Sequence, residues 1–200
     1  MPPQWLSDAA QIVLAVSAAI GAIAAWKGVS TWRRELKGRT EYDLARRVLT
    51  GVYRVRDAIR HVRSPMMLSS EYLDRPGRKP DAQQADADDY KYAYGQRWSR
   101  IQDAMSSLEV DLLEAEAIWH EELRECSALL KSCVGELFAS LWSYLRTKHA
   151  DKWWEGTADP KFIRELEGVI WPVDRPDEYG EKLSRAVASF EKLLQPHLRR

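Results

Sequence analysis

The sequence has few cysteines and lacks the short motifs that identify many enzyme families. Cys126 and Cys133 are its two cysteines, and their wide spacing matches neither a zinc-binding pair nor a disulfide-rich scaffold. We expect both to be reduced core residues, which agrees with a cytoplasmic domain. No P-loop, G-x-S-x-G or Rossmann glycine pattern is present, so these routes to nucleotide or acyl chemistry are excluded. We predict no cofactor and no metal site.

Alternating strand patterns and internal repeats are absent as well, and the fold class that we predict is all-α. The formal net charge is zero, but the charges are segregated along the chain. Residues 27–63 carry eleven Lys and Arg against four Asp and Glu, whereas residues 103–125 carry eight acids against one arginine. Segments of opposite charge suit neighbouring helices, because ion pairs help to select the packing partner even where they add little stability.

The longest apolar run extends from Leu6 to Trp26, and we interpret it as a single transmembrane helix. About twenty residues at roughly 1.5 Å each match the roughly 30 Å hydrocarbon core of a bilayer. Tryptophan is typical of membrane interfaces, and Trp5 and Trp26 stand at the two edges of the run. A cleavable signal peptide is the alternative, but it would need a basic segment before the run. The chain is therefore predicted to consist of an anchor at 1–27 and a domain at 28–200.

The charges on the two sides of this run predict the orientation of the protein. Basic residues are concentrated after the run, and the positive-inside bias places the C-terminal domain in the cytoplasm and the N-terminus outside, in a bacterial inner membrane. Positive side chains at this position also suit anionic lipid headgroups. The residues expected at the headgroups are Lys27, Arg33, Arg34, Lys37 and Arg39.

Helical periodicity predicts a bundle of about four long helices after the anchor. Beyond a kink expected at residues 38–40, apolar residues recur every three or four positions up to a break at Pro65. A second amphipathic stretch starts near Tyr94 and continues past His120. One very long helix and an antiparallel hairpin bent near His120 both fit this pattern.

The segment at 64–89 breaks every helical period, because three prolines and a glycine interrupt it and its end is acidic. Loops of this length are uncommon in a compact domain, so we interpret the segment as a lid or a protein-binding element. Its last carboxylates are expected to stabilise the start of the next helix rather than to bind a cation. Two further helices are expected, a short one from Pro160 and a last one after Pro176.

A short motif on the first helix of the domain contains residues that suit RNA cleavage. Arg56 and His61 enclose four residues, of which Asp57 is polar. A histidine can exchange protons near neutral pH, and an arginine can stabilise negative charge on a phosphate. The spacing resembles the R-(polar)-x3-H signature of HEPN domains, which are helical bundles that include many metal-independent ribonucleases of bacterial defence. This resemblance implies catalytic roles for Arg56 and His61, and a solvated basic helix face is the alternative.

The predicted layout, a short anchor followed by a helical bundle, is similar to that of membrane accessory proteins of some RNA-targeting CRISPR systems. The resemblance implies a ring-like oligomer that perturbs the membrane during an antiviral response. Small residues let transmembrane helices approach closely, and they recur every four positions in the apolar run. With the two edge tryptophans, the residues expected to anchor and associate the helix are Trp5, Ser17, Gly21, Ala25 and Trp26.

From these features we favour a bacterial inner-membrane protein that works by homo-oligomerisation and partner contact, as an accessory or effector of phage defence. The first alternative is a membrane-tethered HEPN-type ribonuclease, for which RNA would be the substrate. The second is a non-catalytic membrane scaffold that holds a protein partner through the loop at 64–89. A non-catalytic role is favoured because the motif that would support catalysis is short.

Overall fold

The structure is a computed structural model that describes residues 4–79, 85–148, 159–172 and 176–198; before residue 35 several side chains lie outside this description. These residues form four α-helices and one short 3-10 helix, and no strand occurs among them. The all-α prediction is therefore confirmed. The α-helices are α1 (Gln4–Val62), α2 (Ala87–Lys148), α3 (Pro160–Ile170) and α4 (Glu178–Leu198), and the 3-10 helix is Ser69–Glu71.

The predicted transmembrane helix is wrong. Among the described residues, no helix combines the length and the apolar composition that crossing a bilayer requires. The apolar run is not a separate helix, since α1 continues from it through Lys27 and Lys37 as far as Val62. Within residues 6–26, eight of 21 residues are alanine, whose side chain contributes much less apolar area than leucine or isoleucine. The predicted single-pass inner-membrane localisation is wrong for the same reason.

The chain divides into two compact units, residues 1–43 and residues 44–200. In the first unit, α1 passes through residues 38–40 without an end, so no new helix begins there. The Thr40 hydroxyl donates to the Leu36 carbonyl at 3.1 Å. Threonine makes this bond inside helices, and Thr40 therefore does not cap a new helix.

Helix α2 is an antiparallel hairpin bent at His120, where the backbone angles, φ 37° and ψ −119°, are not helical. Its two arms are residues 87–119 and residues 121–148. Lys131 and Glu109, each eleven positions from the bend, form an ion pair at 3.2 Å. An ion pair between residues at equal sequence distances on the two sides of the bend requires antiparallel arms. The structure therefore contains the hairpin and not one straight helix.

Replacing His120 with glycine should stabilise the protein. A positive φ is rare for a residue with a Cβ atom and costs of order 1–3 kcal/mol, whereas glycine loses about 0.5–1 kcal/mol more in backbone entropy. We expect the free energy of unfolding of His120→Gly to rise by about 1 kcal/mol in urea denaturation. Gly77→Ala is the control, because it places a Cβ atom at a residue with φ 80° and introduces similar strain. We expect this variant to lose stability. A loss of stability in His120→Gly would contradict this backbone assignment.

The second unit has a continuous apolar core built from α1, both arms of α2, α3 and α4. Its largest fully buried side chains are Phe190, Leu44, Ile59, Ile101, Leu108, Leu123, Leu130, Leu137, Leu141, Leu145, Ile170 and Leu194. A Cβ atom at Gly51 would lie 2.9 Å from Leu108 Cδ1, so α1 and α2 approach closely there. Arg47 on α1 pairs with Asp111 at 3.0 Å and with Glu114. The basic and acidic segments are therefore neighbours, as their charges indicated.

Two smaller predictions are also confirmed. The short helix α3 starts at Pro160, and the Asp159 carboxylate caps it by accepting from the backbone N–H of Lys161 at 2.9 Å. Cys126 and Cys133 are buried, free thiols of α2. Burial raises the pKa of the Cys133 thiol, so this thiol is protonated at neutral pH and has little nucleophilic character.

Candidate functional site

The two residues of the predicted catalytic motif line different cavities of the second unit. The arginine cavity, of about 760 Å³, includes in its lining Arg56, Arg60, Arg63, Asp177, Glu181 and Arg185. The histidine cleft, of about 490 Å³, includes His61, Glu71, Tyr92, Gln96, Arg97 and Arg100. Within one chain, the structure therefore does not bring Arg56 and His61 into one site.

Arg56 lies on the surface of α1, where neighbouring side chains hold it. Its Nε donates to Asp57 Oδ1 at 2.9 Å, and its guanidinium lies over the Tyr53 ring, 4.6 Å from the centroid. The Tyr53 hydroxyl donates to Glu191 Oε1 on α4 at 2.7 Å. The hydrogen bond to Asp57 raises the pKa of Arg56, so this side chain stays cationic. Its chemistry is the stabilisation of negative charge rather than proton transfer.

His61 has the properties of a neutral base in the histidine cleft. Its Nε2 lies 3.1 Å from Arg100 Nη1. Because a guanidinium only donates, Nε2 accepts this bond and the ring proton is assigned to Nδ1. Burial lowers the pKa of His61, and the charges of Arg100 and Arg97 lower it further, while Glu71 opposes them. The ring is therefore uncharged at pH 7, and its Nε2 can accept a proton only when the bond from Arg100 is released.

Arg97 holds the wall of the histidine cleft in place. This side chain is 2% exposed and donates to the carbonyl oxygens of Ser64 at 2.8 Å and Met66 at 2.6 Å. It also donates to Glu71 Oε1 at 2.8 Å, and this contact lowers the pKa of the Glu71 carboxyl. One arginine of α2 thus fixes residues 64–71, which form the first part of the loop predicted at 64–89.

The acidic end of this loop stabilises the start of α2. The Asp89 N–H donates to Asp86 Oδ1 at 2.8 Å and the Asp86 N–H donates to Asp89 Oδ2 at 3.1 Å, which is a capping box. Asp89 is fully buried and also accepts from Arg75 at 2.7 Å and Arg78 at 3.1 Å. Burial alone would raise the pKa of Asp89, but Arg75, the Asp86 backbone and Arg78 outweigh it and lower the pKa. Within the described ranges, no cluster of three metal-ligating side chains is found.

A partly buried ion pair between the end of α1 and the start of α4 forms one wall of the arginine cavity. Arg63, which is 5% exposed, donates to both Asp177 oxygens at 2.9 and 2.7 Å and to the Val169 carbonyl at 2.8 Å. Its guanidinium lies over the Tyr179 ring, 4.6 Å from the centroid. The hydrogen bonds from Arg63 lower the pKa of Asp177. The bidentate contact with Asp177 and the bond to the Val169 carbonyl together connect α1, α3 and α4 through the Arg63 side chain.

Replacing Gly180 with alanine should destabilise the protein, although the same change in an exposed helix interior usually stabilises it. A Cβ atom at Gly180 would lie 2.1 Å from Asp177 Oδ2, so the carboxylate would have to move away from Arg63. We expect Gly180→Ala to lower the free energy of unfolding by about 2 kcal/mol. Gly135→Ala on α2 is the matched control, because a Cβ there has no neighbour within 4 Å; it should stabilise by about 1 kcal/mol. If both variants gained the same stability in urea denaturation, the close contact expected between a Cβ at position 180 and Asp177 would be ruled out.

The first unit presents a row of exposed apolar residues on α1. Helical geometry places the row within an arc of roughly 80°, and we call it the α1 apolar stripe. It consists of Leu14, Gly21, Ala25, Val29, Trp32 and Leu36, all of them exposed. Trp32 is 62% exposed, and Trp26, just beside the stripe, is 79% exposed. None of the described side chains before Leu44 is buried.

The residues predicted to anchor the protein belong to this unit. Ser17 is exposed like the stripe, whereas the side chains of Trp5 and Arg34 lie outside the described residues. The remaining residues assigned to lipid headgroups are exposed, and that assignment depended on the membrane span that the structure contradicts. They are Lys27, Arg33, Lys37 and Arg39.

The fold and the two cavities define an all-α protein with a basic cavity and a histidine-containing cleft. Comparison with known proteins adds no relative: no protein-family model, no curated protein and no solved structure matches this chain. The function has to be inferred from the residues themselves.

Proposed function

We propose that this protein acts by self-association through the first unit, while the helical second unit contacts a partner. The observation that supports the proposal is the α1 apolar stripe. Single exposed apolar residues are ordinary on protein surfaces, whereas contiguous rows of them are typical of interaction sites. Of the two resemblances that suggested a role in antiviral defence, the similarity in layout required the membrane anchor that the structure contradicts. The defence role in this proposal therefore depends on the similarity of the Arg56–His61 motif to HEPN domains.

The length of the stripe favours a second copy of the same helix as its occupant. From Leu14 to Leu36 the row extends roughly 33 Å at about 1.5 Å per residue. Two helices can bury such rows against each other over about three heptads, as in a coiled coil. Gly21 and Ala25 leave room for close approach, because a Cβ at Gly21 would meet no other atom within 4 Å.

Two ion pairs reduce the positive charge at the end of the stripe. Arg39 pairs with Glu35 at 2.8 Å and Lys37 pairs with Glu41 at 3.7 Å, each within the same helix. Residues 27–41 still carry five Lys and Arg against two Glu, so association should strengthen as added salt screens these charges. The expected assembly is a homo-oligomer.

The mass of the purified full chain tests this proposal. By sedimentation or light scattering we expect an oligomer for the wild type and a monomer for the double variant Val29→Glu with Leu36→Glu, because each copy would place carboxylates in the apolar interface. Lys27→Glu is the matched control, since it adds a carboxylate on the opposite face of α1 and should leave the oligomer intact. A monomeric wild type at every concentration, or equal dissociation by Lys27→Glu, would refute the proposal.

A second candidate function is RNA cleavage in the histidine cleft, and the geometry of His61 favours it. Arg100 donates to Nε2 of the neutral His61 at 3.1 Å. A bound phosphate that draws Arg100 away would be stabilised by this cation and would release Nε2 to accept a proton. In this version Arg100 takes the place that the motif assigned to Arg56. The 2′-hydroxyl of RNA would lose its proton to His61 and attack the adjacent phosphorus, the P–O5′ bond would break, and the leaving 5′-oxygen would take a proton from water. This step gives a 2′,3′-cyclic phosphate and needs no metal.

Incubation of the purified protein with single-stranded RNA in the presence of a chelator tests this candidate. Cleavage should be lost in His61→Ala and Arg100→Ala and retained in Arg54→Ala, which removes an exposed arginine of α1 outside the cleft. The rate should already be near its maximum at pH 7, because the pKa of His61 is lowered. Intact RNA after incubation would exclude the ribonuclease.

A further inference from the structure

The arginine cavity carries more positive charge than the fold requires. Its lining includes four arginines, two serines and the apolar side chains of Leu183 and Pro172. Only one of the arginines, Arg63, is buried and used to hold helices together. The other three are Arg56, Arg60 and Arg185.

Two arginines of the cavity have no ion-pair partner among the described residues. Asp177 pairs with Arg63 through the bidentate contact, and Asp57, outside the lining, pairs with Arg56. The bond from Arg56 to Asp57 uses Nε, so the terminal nitrogens of that guanidinium are not part of it. Arg60 and Arg185 thus share the cavity with Glu181 as the remaining carboxylate of the lining.

We infer that the arginine cavity binds a phosphorylated small molecule that carries at least two negative charges. Guanidinium groups match phosphate oxygens with paired hydrogen bonds, and several of them around one cavity suit a polyanion such as a diphosphate. The volume, about 760 Å³, lies in the range of small-molecule sites, roughly 300–1,000 Å³.

The remaining lining suits the rest of a nucleotide-sized ligand. Leu183 and Pro172 supply apolar surface, and Ser64 supplies a hydroxyl that can donate or accept. Ser184 donates its hydroxyl proton to the Gly180 carbonyl at 2.8 Å, which fixes its oxygen as an acceptor. Mixed linings of this kind orient a ligand that is charged at one end and apolar at the other.

Calorimetric titration of the purified full chain tests the inference, with inorganic pyrophosphate and adenosine triphosphate as probes and acetate as the singly charged comparison. Both probes should bind and acetate should not. Arg60→Ala and Arg185→Ala should each weaken binding about tenfold, the loss expected for one charged contact. Glu181→Gln should tighten binding several-fold, because it removes the opposing carboxylate.

Arg54→Ala is the matched control, since Arg54 is an exposed arginine of α1 that does not line the cavity. It should bind like the wild type, and all of these exposed-site variants should keep the wild-type melting temperature without ligand. Absence of binding at millimolar probe, or equal weakening by Arg54→Ala, would overturn the inference. Tighter binding of single-stranded RNA than of either probe would also overturn it, because the cavity would then be part of a polymer-binding surface.

Discussion

Replacing Arg63 with methionine is expected to lower the free energy of unfolding by about 2–3 kcal/mol, because Arg63 is buried while the Asp177 carboxylate left behind is 31% exposed. Methionine keeps the apolar stem of the side chain but removes three hydrogen bonds, two to Asp177 and one to the Val169 carbonyl. The Asp177 carboxylate would be left beside Tyr179 without its counter-charge. Urea denaturation followed by circular dichroism gives the measurement.

The pH dependence of stability provides a second readout for the same contact. Arg63 holds the folded pKa of Asp177 below its ordinary value of 3.8. The contribution of the pair is therefore fully present above that value and is lost as the pH falls through the folded pKa. In Arg63→Met the decline in stability below about pH 4 should be shallower than in the wild type. A parallel decline in both proteins would show that Asp177 does not titrate against Arg63.

Arg46→Met is the matched control for this experiment. Arg46 is an exposed arginine of α1 in the same unit, and surface charges of this kind contribute about 0–1 kcal/mol. Its stability and its acid decline should remain close to those of the wild type. If Arg46→Met lost as much as Arg63→Met, the effect would come from the removal of positive charge in general.

The helices of the second unit could be predicted from the sequence because their core contacts are periodic. Apolar residues every three or four positions predicted where both arms of α2 and helix α4 lie. Pro160 and Pro176 predicted where α3 and α4 start. The bend at His120 had no such signal. No glycine or proline marks it, and the periodic apolar pattern fits a hairpin and a straight helix equally well.

The transmembrane prediction for the first helix was wrong because a bilayer environment was inferred from the local composition of residues 6–26 alone. The apolar run at 6–26 is followed by charged residues in the same uninterrupted helix, and no sequence signal marks an end between them. Thr40 and Asp43 resemble a capping box, but in the structure the Thr40 hydroxyl bonds within the helix. A capping pattern is informative only where a helix starts.

The candidate site was predicted only in part, for a geometrical reason. His61 follows Arg56 by five positions, which on a helix places their side chains about 140° apart. They therefore face different neighbours, and His61 meets Arg100 of α2 instead. That contact joins residues 39 positions apart in the chain. No local spacing rule indicates such a pair, and finding Arg97 would have required attention to an arginine within an otherwise apolar helix face.

Replacing Arg97 with methionine is expected to cost about 3 kcal/mol and to release residues 64–71 from the bundle. The change leaves the Glu71 carboxylate without its main partner and two backbone carbonyls without their donor. Hydrogen exchange should therefore accelerate in residues 64–71 much more than in the core. The pKa of His61 should rise, because Arg97 is one of the two charges that lower it and Glu71 opposes them.

Arg100→Met separates the two effects of Arg97. Arg100 is exposed and contacts His61 without contacting the loop carbonyls, so its loss should raise the pKa of His61 while leaving stability and loop exchange nearly unchanged. Titration of the His61 ring by nuclear magnetic resonance measures this pKa in each variant. If Arg97→Met raised the pKa of His61 but left residues 64–71 protected from hydrogen exchange, the contacts of Arg97 with Ser64, Met66 and Glu71 would not be what orders this segment. If loop exchange accelerated equally in both variants, removal of charge near His61 would account for the change, and Arg97 would have no special role in building the cleft.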